Sequence, residues 1–118
     1  MPQMQSTTLY SAGAIVTVAI RFTNQRGTEF RPAIVVSAVG FNQNSADVVL
    51  IPVSSKVENL RYGDTPINGW QQAGLLRPSK AKAVIQTVDK RMIRKHLGSL
   101  NPDDLDGLQQ SMKTILGI

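Results

Sequence analysis

Two short stretches carry the residue types from which chemistry could be built. FRPAIVVS, residues 30–37, puts Arg31 and Pro32 at the mouth of an apolar strand. DVVLIPVSS, residues 47–55, ends a second apolar strand with two hydroxyls, Ser54 and Ser55. Arginine is always charged and presents donors in a fixed fork. At a strand mouth it either points into water or meets an anion. Pro52 cannot donate to a ladder, so strand pairing should end or bulge there. That leaves Ser54 and Ser55 where a side chain can be aimed into a cleft.

The remaining inventory is narrow. His96 is the only histidine and sits in a run of Arg and Lys that disfavours an imidazolium. No G-x-S-x-G accompanies it, so a Ser-His-Asp triad is not supported. There is no cysteine, which excludes thiol chemistry, cysteine-held zinc and disulfides, and suits a reducing cytosol. There is no HExxH and no phosphate-binding glycine loop. The close acids Asp103, Asp104 and Asp106 read as helix capping rather than as metal ligands.

One reaction fits such a set. In RNA the 2′-hydroxyl is an internal nucleophile beside the scissile phosphate. Holding the backbone in line supplies much of the acceleration. The rest is stabilisation of charge on the phosphorus centre. A guanidinium matches phosphate oxygens with paired hydrogen bonds, and a fixed hydroxyl adds one more. Arg31 and Ser54, from adjacent strand ends, form a minimal site that needs no metal or other cofactor.

The elements that must position these residues are short. The chain has 118 residues, 42% hydrophobic, which is one domain with a proper core. Residues 1–12 read as a polar, flexible tail and 13–118 as the domain. Strands are expected at 14–20, 32–38, 47–53 and 82–88. Gly and Asn mark 40–46 as a turn. Residues 56–69 read as irregular, 70–73 as one helical turn and 89–97 as a short helical stretch. Asn101 and Pro102 open the clearest helix as N-cap and N1. Leu105, Leu108, Met112, Ile115 and Leu116 stripe it, and Gly117 stops it. Strands first, a helix last and no βαβ alternation predict a mainly β fold. Its form is a small antiparallel barrel or curled sheet with a helix packed on it.

The net charge is +5. Residues 77–96 hold seven Lys and Arg against one acid, Asp89, so the remainder nets −1. This concentration points to a polyanionic partner. No apolar run is long enough to span a bilayer, and the N-terminus lacks the basic and apolar regions of a secretory signal. A cytoplasmic location is expected.

Taken together, GAIVTVAIRFTN, FRPAIVVSA, DVVLIPVSS, GDTPINGWQQAGLLRPSKAK and TVDKRMIRKHLGSLNPDDLDGLQQSMKTILG resemble the MazF/PemK-like toxins of type II toxin–antitoxin systems. The resemblance spans about residues 13–117. It implies an SH3-like barrel, a homodimer and a metal-independent endoribonuclease acting on single-stranded RNA. The implied products are a 2′,3′-cyclic phosphate and a 5′-hydroxyl. It also implies a cognate antitoxin whose acidic segment occupies the RNA groove. Arg31 corresponds to the arginine of the family's R-P strand start, and Ser54, with Ser55 beside it, to the hydroxyl after the P-[IV] pair. In the family the loop at 23–30 helps set RNA access and cleavage specificity, which marks Thr23, Asn24, Arg26 and Thr28 as expected RNA contacts. Lys80 and Lys82 are expected near the groove as phosphate positioners, and Trp70 in packing rather than on a base. The C-terminal helix and the strand at 47–53 are the candidate dimer surfaces. The chain departs from the family's usual pattern with Ala14 where Asp follows Gly, Arg21 in IRFT, and Ser54 where threonine is frequent. The alternatives are a barrel that binds antitoxin or nucleic acid without cutting, a poison of another target such as gyrase, or a basic SH3-like module of a larger nucleic-acid complex.

Overall fold

Three apolar runs become the three central strands. In the computed structural model, which describes residues 9–20 and 29–118, β1 is Ala14–Ile20, β2 is Glu29–Val35 and β3 is Asp47–Ser54. β4 is Thr65–Ile67, β5 is Ser79–Ala81, β6 is Gln86–Asp89 and β7 is Ile93–Ser99. α1 is Val39–Asn44 and α2 is Pro102–Leu116. The pairs are antiparallel, in the order β4-β5-β3-β2-β1-β7, with β6 beside β3. The expected β class with a packed helix holds. Among the described residues the path is open, with β4 at one end and β7 at the other.

These strands are apolar on both faces because both faces are covered. Ile15, Ile34 and Ile51 lie opposite one another in register and belong to one core with Ile67, Ala73, Leu75 and Leu108. The alternate residues Val16, Val18, Ala33, Val35, Val48 and Leu50 form a second core on the other face. α2 covers the first. Asn101 caps it, its side chain accepting from Asp104 N at 2.7 Å, and Gly117 ends it in the left-handed region at φ 72°. Leu105, Leu108 and Met112 pack inward, whereas Leu116 is mostly exposed. Trp70 packs against the same core, as expected.

Three local expectations fail for tertiary reasons. Residues 39–44 form a short helix, not a bare turn. Asn42 is buried there as a hub, donating to Tyr10 O at 2.8 Å and Ser37 O at 3.0 Å and accepting from the Ser37 hydroxyl. Its own carbonyl accepts from Lys90 Nζ at 2.6 Å. The 89–97 stretch is one 3-10 turn, Lys90–Met92, followed by β7, because β1 offers an edge that pairs Thr17 with Lys95 and Val16 with His96. The strand expected over 82–88 narrows to β6. Residues 9–12 are tied to the domain, since Tyr10 packs on the second core; residues 1–8 lie outside the described part. No helix of the described residues is long and apolar enough to cross a membrane.

The AGLL and LGSL motifs meet backbone to backbone. A Cβ on Gly98 would collide with the carbonyl oxygen of Ala73, and one on Gly74, at φ 92°, with that of Leu97. Only glycine permits this approach. Gly98→Ala should therefore lower stability by about 3 kcal/mol, the upper end of over-packing costs. Urea denaturation checks it, and a loss under 1 kcal/mol would mean the two segments can part at little cost.

Candidate active site

The β2–β3 ladder ends at the Ala33–Pro52 pair. The donor missing there is that of Pro32, the next residue outward on β2, whose nitrogen faces β3 as does that of Val36, whose N–H donates to Val49 O. Pro52 turns its backbone groups to the other edge of β3, where its carbonyl accepts from Lys82 N. Carrying the register on sets Arg31 opposite Ser54, on the face of the second core. On that register the two residues picked out by type fall opposite one another just past the end of the ladder. β3 continues past the break by pairing with β5 instead, Val53 with Ala81 and Ser54 with Lys80.

Arg31 is about half exposed and is engaged by its neighbour on the same strand face. Its Nε and Nη2 donate to Glu29 Oε1 at 3.0 and 2.8 Å. An exposed pair of this kind contributes little, about 0–1 kcal/mol. A phosphate offering several oxygens can displace it. Ser54 is half-buried, and its Oγ accepts from Lys56 N at 3.1 Å. That contact fixes the oxygen and leaves the O–H proton as a donor. Ser55 is exposed in the following turn, where its carbonyl accepts from Val57 N at 3.0 Å. Lys82 is exposed and held beside the opening by its backbone N–H, which donates to Pro52 O at 3.0 Å.

Lys80 is not an open phosphate contact. Its ammonium is enclosed, donating to Asp64 Oδ2 at 2.7 Å and to Asn59 O at 2.8 Å, with both side chains of the ion pair almost fully buried. Asp64 also accepts from Arg61 N and Ala83 N, each at 2.9 Å. Burial works to raise the Asp64 carboxyl. The Lys80 hydrogen bond, the two backbone bonds and the Lys80 charge together outweigh it and hold the group below the usual carboxylate range. The pair clamps the loop after Ser54 to β5, so Lys80 acts on Ser54 through position. Sequence reading missed this because an isolated Asp in a GD turn carries no signal of burial. It missed Asp104 similarly. Beyond its place in the helix's first turn, the Asp104 carboxylate takes Asn68 N at 3.2 Å and Gly69 N at 2.8 Å. Thr23, Asn24, Arg26 and Thr28, and with them Arg21, lie outside the described residues.

The fold and this pairing can be compared with known proteins. The family model for PemK-like, MazF-like toxins of type II toxin–antitoxin systems matches residues 11–116. The chain belongs to this family. Among solved structures, a mycobacterial endoribonuclease in complex with its cognate antitoxin is similar with a TM-score of 0.74. It is 18% identical over 95% of this chain and 97% of that one. MazF from Deinococcus radiodurans gives a TM-score of 0.73 at 22% identity, over 94% and 99%. The Mycobacterium tuberculosis toxin MazF-mt6 gives 0.70 at 14%, over 87% and 97%. At these identities the likeness is one of fold. A search of curated protein sequences found no match. The MazF/PemK-like fold thus comes here with a sequence far from these structures, and with serine, not threonine, at the end of β3.

Removing one partner of a buried ion pair leaves an unpaired charge, at a cost of about 3–5 kcal/mol. Lys80→Ala should lose that much in urea denaturation. The pH dependence has a definite sign. A carboxyl held low in the folded state stabilises it fully above the unfolded value, and the gain is lost as pH falls through the folded one. The stability difference between the native protein and Asp64→Asn should be largest near neutral pH and shrink below about pH 4. A difference that grew on acidification would contradict the pairing.

Proposed function

We propose that this toxin is a metal-independent endoribonuclease that cuts single-stranded RNA in the cytoplasm. The observation that supports the reading is the end of the β2–β3 ladder beside Pro32, whose register, carried on, would pair Arg31 with Ser54, in a chain of this family. Similar folds whose structures are named endoribonucleases support it.

In this reading the scissile phosphate replaces Glu29 on the Arg31 fork. Ser54 donates its proton to a second phosphate oxygen, and Lys82 holds the neighbouring phosphate. The 2′-oxygen attacks phosphorus and its proton passes to a base. Glu29, left beside the phosphate when Arg31 changes partner, is the carboxylate in reach of that task. The bond to the 5′-oxygen breaks, and that oxygen takes a proton from water and leaves as a hydroxyl, the proton on Glu29 returning to solvent. The other product is a 2′,3′-cyclic phosphate. Arg31 stabilises charge and keeps its own proton.

The partners follow from charge. The exposed cations Lys82, Arg91, Arg94 and Lys95 suit RNA, and they suit equally the acidic segment of a cognate antitoxin that would cover the same surface. A homodimer is part of the reading. β3 is hydrogen-bonded along both edges and has no edge to offer over most of its length. The outer end of α2, with Leu116 and Ile118 exposed, is the better candidate surface.

Arg31→Ala should retain the fold and abolish cleavage of a long single-stranded RNA in EDTA, read by primer extension. Cutting at the native rate would remove Arg31 from the site, and loss of native activity on chelation, restored by magnesium, would overturn the metal-free mechanism. Glu29→Gln should lower kcat by about 100-fold or more, the usual share of a general base, with KM little changed. A purified protein that binds RNA and never cuts it would favour the binding-only alternative.

A further inference from the structure

The turn after β4 holds a reactive dipeptide, Asn68–Gly69, against the start of α2. An asparagine followed by glycine readily loses its side-chain amide, because glycine has no Cβ to obstruct the ring that the reaction closes. The glycine is required where it stands. A Cβ on Gly69 would lie 2.5 Å from Asn101 Nδ2 and 3.3 Å from Asp104 Oδ2. Asn101 is not free to step aside, since its side chain caps α2 and accepts from Asp104 N at 2.7 Å. The close approach of turn and helix therefore fixes glycine at 69. With Asn68 before it, the chain carries a chemically weak point at a structural joint.

The reaction has definite needs. The Gly69 nitrogen must lose its proton, turn toward the Asn68 side chain and attack Cγ. The bond from that nitrogen to Cγ forms, the bond from Cγ to the side-chain nitrogen breaks, and the side-chain nitrogen leaves as ammonia. Water then opens the succinimide at either carbonyl, giving aspartate or isoaspartate. Asn68 is exposed, so water and departing ammonia have free passage. The attacking nitrogen is held. Gly69 N donates to Asp104 Oδ2 at 2.8 Å, and Asn68 N donates to Oδ1 of the same carboxylate at 3.2 Å. The Gly69 carbonyl accepts from Ala73 N at 3.0 Å, so Gly69 is pinned on both sides of its Cα. Asp104 is only 5% exposed, and little water competes for these bonds. A carboxylate is too weak a base to take an amide proton, and its charge opposes the amide anion that must attack.

We propose that Asn68–Gly69 is a latent deamidation site that the Asp104 carboxylate keeps closed, and that reaction there undoes the clasp permanently. Two successive N–H groups reach one carboxylate because of their ordinary spacing. Isoaspartate inserts a methylene into the main chain between them, and the two can then no longer meet Asp104 together. An opening of the turn that would otherwise reverse becomes fixed in the covalent chain. The site is separate from Arg31 and Ser54 and does not depend on the nuclease reading.

The test incubates the full chain at mildly alkaline pH and follows Asn68 by peptide mapping and isoaspartate assay. A hydrogen bond to a charged group predicts that Asn68 reacts roughly tenfold or more slowly in the folded protein than in the same chain held in urea. Asp104→Asn, confirmed as folded by circular dichroism, should lose most of that protection. Asp103→Asn, its exposed neighbour on the same turn of α2, should keep it. The isoaspartyl form, separated by ion exchange, should melt below the native protein. If Asp104→Asn does not fold, amide hydrogen exchange on the native protein decides, and the Gly69 N–H should exchange slowly. Equal rates in the folded and urea-unfolded chains would overturn the proposal. So would a folded Asp104→Asn that reacts no faster than the native protein, or an Asp103→Asn that reacts as fast as it. A rapidly exchanging Gly69 amide, or an isoaspartyl form as stable as the native one, would do the same.

Discussion

The end of the β2–β3 ladder depends on one missing hydrogen-bond donor. An antiparallel ladder closes strands onto one another for as long as each residue can give and take. Pro32, whose nitrogen faces β3, cannot give. The β2–β3 ladder therefore stops while both strands still run on, and β3 turns to β5 for its last two residues. The break is built into the sheet, so the strand ends beside it are held by the ladders that flank them. Arg31 and Ser54 are carried on extended backbone whose direction is set by Ile34 and Ile51, both fully buried a few residues away. A site on rigid strand ends loses little on ordering, and a reaction whose nucleophile comes with the substrate asks mainly for order.

What happens beyond the strand end is settled by charge buried deliberately. Ser54 leads into a loop that has few apolar anchors, with Val57, Leu60 and Tyr62 all exposed. That loop is held by the Lys80–Asp64 pair and the backbone groups it gathers. A buried ion pair is a poor source of net stability and a good source of specificity, because a wrong arrangement leaves a charge unpaired. Asp104 does the corresponding work for the turn after β4. In both cases one carboxylate takes two or more N–H groups that a loop would otherwise leave unsatisfied. The structure thus uses hydrophobic burial for the sheet and carboxylates for the connections, and the site lies where the two meet.

Sequence made some of this legible. The strands are β-branched runs, and α2 declares itself through Asn101, Pro102 and Gly117. These are local signals with local causes. The end of the β2–β3 ladder was legible beside Arg31 because Pro32 marks where a ladder must fail. The helix wrongly expected over 89–97 shows the limit. KRMIRKHL has no propensity against either state, and β1's open edge decides it. The Lys80 expectation failed because a lysine's charge reads as a surface property until its carboxylate is found, sixteen residues away on another element. Asn42 looked like a turn residue for the same reason. Its amide serves residues at 10 and 37, which only the folded chain brings near.

The contact between Arg31 and Glu29 brings these strands of argument together. Two residues apart on one strand face, they hold each other in an exposed pair whose net worth is small. A strong buried pair here, like that of Lys80, would not release Arg31 to a phosphate. No pair at all would leave a guanidinium to find its own orientation each time. A weak pair pre-sets the fork, yields to a better anion, and leaves a carboxylate at the place the anion has entered. The same logic fits an antitoxin carboxylate competing for that fork. Inhibition and substrate binding would then be one exchange reaction with different anions, and the ordering of affinities would follow from how many other cations, Lys82 among them, each anion can reach at once.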